Sequence, residues 1–338
     1  MKRCSVAVLV LWPAVAAGQG SPRVHRLPAT PHTVAWGYYS AAATPVLRIA
    51  SGDIIEVETL LTNSPSRLEA AGLPPAEVEA SLRAITDSVK DKGPGGHILT
   101  GPVFVEGAEP GDVLEVRILE VGLAIPYGYN GCSGFLRELC AEPRTRIIRL
   151  DAKHRRAELG SGIVVPLAPF FGSMGVAPPP DSGRVSSNPP GIHAGNLDNR
   201  ELVAGTTLFI PVHARGALFE VGDGHAAQGD GEVDQTAIET SLRGRLQLIV
   251  RKDLKLSWPR AETRTDVITM GADTSLTVAT RIALREMVAY LMAAKGLPQV
   301  EAYRLASIAG NLRITQLVDQ RMGVHMMISK KVLGLPSR

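Results

Sequence analysis

The densest concentration of reactive side chains lies in Val221–Glu239, VGDGHAAQGDGEVDQTAIE. Its nineteen residues include Asp223, His225, Asp230, Glu232, Asp234 and Glu239, separated by four glycines. Buried carboxylates are costly unless paired or metal-bound, and glycine weakens regular elements while permitting sharp turns and close approach. Asp, Glu and His are the residue types that ligate metals and carry protons. If the segment is extended, Asp223 and His225 share one face by the period-two rule, as do Asp230 and Glu232. The competing reading is a glycine-rich surface turn of solvated acids.

The elements that would position such groups are short. With 34 Gly and 24 Pro in 338 residues, the chain favours many strands and turns over long helices. Strands are expected at 33–39, 46–50, 53–61, 101–106, 112–121, 163–165, 203–211, 216–221 and within 236–250, with a hairpin over 144–159. Pro74 and Pro75 open a helix running to about Val89. Helical spacing over 275–297, with Lys295 and Gly296 at its end, predicts a long helix, and 298–310 a second. Residues 124–140 and the Pro/Gly/Ser-rich 169–190 are read as irregular, the latter as a long connection or lid. His97 sits in a glycine-rich loop, and His193, Asn196 and Asp198 form another polar cluster.

Net charge is +3 with dispersed basic residues, and aromatics make up 4%, which argues against a nucleic-acid footprint. Lys2 and Arg3 followed by the apolar run 6–17 and small residues read as an export signal over 1–19, leaving 20–338 as one domain. That run is too short to span a bilayer. Loss of the signal leaves Cys132 and Cys140, which an oxidising compartment could join. The expected location is secreted or periplasmic, with no membrane partner. Neither a GxxxxGK[ST] phosphate loop nor a GxSxG elbow is present in the sequence.

GGHILTGPVFVEGAEPGDVLEVRILEV and HAGNLDNRELVAGTTLFIPVHARGALFEVGDGHAAQGDGEVDQTAIE resemble two signature blocks of the acetamidase/formamidase family, and EAYRLASIAGNLRITQLVD is similar to its end. The resemblance covers about residues 25–330. It implies a mainly-β, jelly-roll-like sandwich with added helices, including a C-terminal helical segment. It also implies a homo-oligomer that hydrolyses short amides with a divalent metal, zinc first; calcium is the second candidate, from the competing binding-module reading.

Metal-assisted amide hydrolysis needs ligands, a base and amide contacts. The metal set available is His97, Asp198, Asp223 and His225. Catalytic zinc sites commonly keep three protein ligands, so one of these four is expected to act indirectly, with Asp198 and His225 ranked first. Glu232 is the expected general base and Asp230 its alternative, while Asn196, His193 and Gln228 are expected to contact the substrate. A secreted calcium-binding module without activity is the competing function; the same chemistry on a lactam or a larger aliphatic amide is a third.

Overall fold

A computed structural model describes residues 21–142 and 144–336; the expected export signal lies outside them. Two sheets carry the architecture. The larger has nine strands, in the order 24–27, 54–58, 242–251, 113–123, 207–211, 260–262, 266–273, 322–329 and 310–316. The smaller orders 194–196, 170–175, 219–225, 98–105 and 34–36, with 47–49 paired in parallel to 98–105. Ile55, Val57, Leu246 and Leu248 from the first meet Val103, Phe171, Phe219 and Val221 from the second in one buried cluster. The result is a β-sandwich, and burial between its two faces is what holds the sheets together.

Helices are additions to this sandwich. Leu276–Lys295 ends at Gly296, whose φ of +64° supplies the left-handed cap. This helix and Gln299–Ala309 cover one end of the large sheet, burying Met287, Leu291, Ala302 and Ala306 against Val267, Met326 and Ile328. A Cβ on Gly271 would lie 2.5 Å from the Ala279 carbonyl oxygen, so glycine lets helix and sheet approach.

A four-stranded sheet, 163–166, 156–160, 145–151 and 127–131, stands beside the sandwich. Cys132 and Cys140 form a disulfide at its edge. Two segments read as irregular are thus partly regular. Tyr127–Gly131 is a strand, and Phe170–Gly175 is a fully buried strand inside the small sheet. FFGSMG lacks polar alternation because both of its faces are covered.

Candidate functional site

Four carboxylates and one imidazole converge at the end of the small sheet. Asp223 and His225 close the strand Phe219–His225, Asp198 follows the strand Ala194–Asn196, and Glu232 and Glu239 lie on the loop after His225. His225 Nε2 is 3.2 Å from Asp223 Oδ2, 3.2 Å from Glu239 Oε2 and 3.8 Å from Asp198 Oδ1. Ligand atoms of Asp198, His225 and Glu232 lie within 4.8 Å of one another, and so do those of Asp223, His225 and Glu239. All five side chains are buried.

The backbone is bent to achieve this. Regular alternation would send Asp223 the way of Phe219 and Val221, into the core. Instead Asp223 has φ +53°, Asp198 φ +47° and Glu232 φ +43°. Left-handed non-glycine residues are strained, and such strain collects at functional sites. The loop after His225 is pinned elsewhere: Glu239 bridges to both His225 and Tyr129, and Gly231 pairs with Gln316 of the large sheet.

Hydrogen bonds orient the donors. His225 Nδ1–H donates to Gln228 Oε1 at 2.8 Å, and Gln228 Nε2 donates to the Asp198 carbonyl at 2.7 Å. That bond leaves Nε2 of His225 facing the carboxylates. Asn196 Nδ2 donates to Asp198 Oδ2 at 2.6 Å. His97 Nδ1 meets the Ser187 carbonyl at 3.1 Å, and its Nε2 faces Asp223 Oδ1 at 3.8 Å.

The electrostatics of this arrangement are unbalanced. Burial raises the Asp198 carboxyl well above its ordinary range, and Glu232, Asp319 and Asp223 raise it further. Burial likewise pushes Glu232 and Glu239 up. For Asp223 burial acts in the same direction, but His97 and His225 outweigh it and hold the group low. Burial alone would lower His225, yet Glu239 and Asp223 raise it well above the usual histidine range. Neither Lys nor Arg is paired with Asp198, Asp223 or Glu239 among the described residues.

The donor set fits a divalent cation. Asp198 Oδ1 and Glu232 Oε2 are buried without a hydrogen-bond partner, and an unpaired buried charge is costly. Space is kept beside them by Gly172: a Cβ there would lie 2.4 Å from Asp198 Oδ1, 2.7 Å from Asp223 Oδ2 and 3.0 Å from His225 Cε1. Imidazole together with carboxylates is a zinc-type donor combination.

The cluster therefore gathers Asp198, Asp223, His225 and Glu232 and places His97 at its margin. It has Asn196 on the Asp198 carboxylate, and Gln228 on the far ring nitrogen of His225 and the Asp198 backbone. Two other candidates stand apart. Asp230 is partly exposed and faces Arg313 at 3.8 Å. His193 packs edge-on against Tyr39, with ring centroids 5.1 Å apart, and its Nε2 has no partner. Three contributors escaped the sequence reading. Glu239 had the signal of membership in the acid-rich stretch. Gly172 had none, and Asp319, buried with an unpaired Oδ2 and held by Gln235 Nε2 at 3.2 Å, arrives from far along the chain.

Known proteins share both sequence and architecture with this chain. A formamidase from Methylophilus methylotrophus is 29% identical, over 40% of this chain and 47% of that protein. An acetamidase from Mycolicibacterium smegmatis is 27% identical, over 41% and 49%. The chain thus spans about half the length of these curated relatives. Among solved structures, a recombinant predicted acetamidase/formamidase from Thermoanaerobacter tengcongensis superposes with a TM-score of 0.79 at 29% identity, covering 93% of this chain and 98% of that one. An acetamidase from Bacillus halodurans gives 0.78 at 28% identity, covering 92% and 99%. A gamma lactamase from Delftia acidovorans, 21% identical with a TM-score of 0.56, shares the fold. The acetamidase/formamidase family model matches residues 86–188 and 182–330, and the chain belongs to that family.

Proposed function

We propose that this protein hydrolyses the C–N bond of short linear amides, of the formamide and acetamide type, with a divalent metal. The reaction consumes one water and yields a carboxylate and ammonium. The observation that carries this reading is the convergence of Asp198, Asp223, Glu239 and Glu232 on the free nitrogen of His225. A divalent cation held by such residues polarises a carbonyl oxygen and makes water a stronger nucleophile near neutral pH.

The protein's own groups supply the rest. Gln228 fixes the tautomer of His225, which keeps Nε2 available as a ligand. Gly172, with no Cβ, lets Asp198, Asp223 and His225 close up against its strand. Glu232, whose carboxylate lies beside the ligand atoms of Asp198 and His225, is placed to take a proton from water and pass it to the departing nitrogen. Asn196 spends its amide N–H on Asp198, so its unpaired Oδ1 is the atom free to accept an N–H from the substrate amide. Imidazole among the donors favours zinc over calcium, which takes about six to eight oxygens.

Residence outside the cytoplasm is part of the proposal, supported by the Cys132–Cys140 disulfide. So is self-association, supported by Val300, Tyr303 and Ile308 exposed on the second C-terminal helix. The deciding experiment measures metal content and ammonia release on the purified protein. Metal-replete protein is expected to release ammonia from formamide or acetamide, and chelation to stop it without unfolding the chain. Silence across a broad panel of primary amides overturns the reading in favour of a metal-binding module.

A further inference from the structure

We propose that the groove beside the buried acids is an acyl-chain subsite, taking the aliphatic tail of a primary amide of about four to six carbons. This rests on the amide-hydrolysis reading and names its substrate class. The groove has a volume of about 570 Å³. At about 30 Å³ of liquid volume per water, that is room for roughly twenty waters, whereas acetamide has only four heavy atoms.

Three residues join the groove to the cluster. Phe170, Gln228 and Glu232 all line it. The Phe170 ring stands edge-on to His225 with centroids 5.1 Å apart, Gln228 bonds the His225 ring, and Glu232 belongs to the converging donors. An amide whose carbonyl reaches the acids therefore has its acyl carbon directed along this channel.

The walls away from that end are apolar. Ile148, Leu159 and Val165 come from the four-stranded side sheet, and Ile238, on the loop after His225, packs with Ile148 and Leu159 in one cluster. Arg200 lines the groove with no side-chain partner among the described residues, while other polar groups around them are engaged by the protein. Asn130 Nδ2 donates to Thr236 Oγ1 at 3.0 Å, Arg146 Nη2 to the Leu159 carbonyl at 2.6 Å, and Asp230 faces Arg313. What remains for a ligand is hydrocarbon surface with one free guanidinium, Arg200, leading to the polar end at Glu232. The tail takes no part in the chemistry. Water oxygen forms the new C–O bond, the C–N bond breaks, and nitrogen leaves as ammonium whatever the chain length.

The test is a length series of acetamide, butanamide and hexanamide on the metal-replete protein. Burying each added methylene is expected to raise kcat/KM by roughly fourfold, or about a hundredfold or more from acetamide to hexanamide. Val165→Trp, at a half-buried wall position, is expected to cut the hexanamide-to-acetamide ratio at least tenfold; the wild-type series stands without it if the variant does not fold. A flat or falling series with acetamide turned over overturns the subsite and leaves amide hydrolysis standing. No ammonia from any member overturns the hydrolysis reading, and the subsite falls with it.

Discussion

The protein gathers acidic residues in two places and treats them in opposite ways. On the outer face of the large sheet, Glu56, Glu58, Glu115 and Glu120 each meet an arginine from a neighbouring strand: Arg245 at 3.5 Å, Arg243 at 3.5 Å, Arg251 at 2.5 Å and Arg245 at 3.0 Å. Most of these carboxylates reach water, and the alternation of signs along the strands is a solvated sheet face. At the end of the small sheet, Asp198, Asp223, Glu232 and Glu239 are buried around an imidazole, with two oxygens left unpaired. The residue types are alike; counter-charge and water separate the two regions. Charge collected in the interior without its complement opposes folding, so its persistence marks a place where something outside the polypeptide supplies the balance.

The sharpest way to break this contrast is Glu232→Gln. If Glu232 moves the proton, the variant keeps its metal and loses between about 10²- and 10⁴-fold in kcat. Elemental analysis beside ammonia release reads both. A variant that loses metal together with turnover would place Glu232 among the ligands, and full activity would remove it from the chemistry.

Parts of this were visible in the sequence because they depend on neighbours. The helix Leu276–Lys295 and its Gly296 stop follow from periodicity over a few turns. Asp223 and His225 do reach the same place, two residues apart, but through a left-handed backbone at Asp223 that regular alternation does not include. For Asp230 and Glu232 the left-handed backbone at Glu232 accompanies a separation instead, so the period-two rule holds at neither pair. Phe170–Gly175 read as irregular because a strand covered on both faces has no polar rhythm. Asp319 could not be placed at all: its approach to Asp198 depends on how the C-terminal strands lie against the loop at Gly231, which is a long-range property.

His193 sharpens the comparison from a different side, as a buried titratable group with no partner and no opposite charge. Burial, helped by His213 and Arg321, lowers its pKa to about 4. The unfolded chain holds it near 6.5 and so binds the extra proton first as pH falls. Stability from this group is therefore complete above pH 6.5 and is lost between 6.5 and 4, by about 3 kcal/mol. His193→Phe retains a ring against Tyr39 and has nothing to titrate. Urea melts of both proteins in chelator, at pH 6.5 and pH 4, should show the wild type losing that amount relative to the variant. Equal losses would mean that His193 is solvated in the folded protein.

A smaller effect is expected from Gln228→Leu. The substitution removes the acceptor for His225 Nδ1–H and the donor to the Asp198 carbonyl while leaving every proposed ligand in place. Metal affinity should fall by about 10- to 100-fold, the usual cost of losing such an orienting partner. Competition with a calibrated chelator measures this directly. Unchanged affinity would show that packing by Phe170 alone is sufficient to orient the imidazole.

The least effect belongs to the outer face, where Arg245→Ala tests the other half of the contrast. Arg245 lies between Glu56 and Glu120, and its removal leaves two carboxylates that water reaches. Exposed pairs contribute about 0.2–1 kcal/mol, and that contribution should shrink further in 1 M salt, where the screening length falls to about 3 Å. Denaturant melts at low and high salt give both numbers. A loss above about 2 kcal/mol, insensitive to salt, would mean that these acids are desolvated like the ones around His225. In that case burial could not be what distinguishes the two regions, and the case for an external cation at the small sheet would have to rest on donor geometry alone.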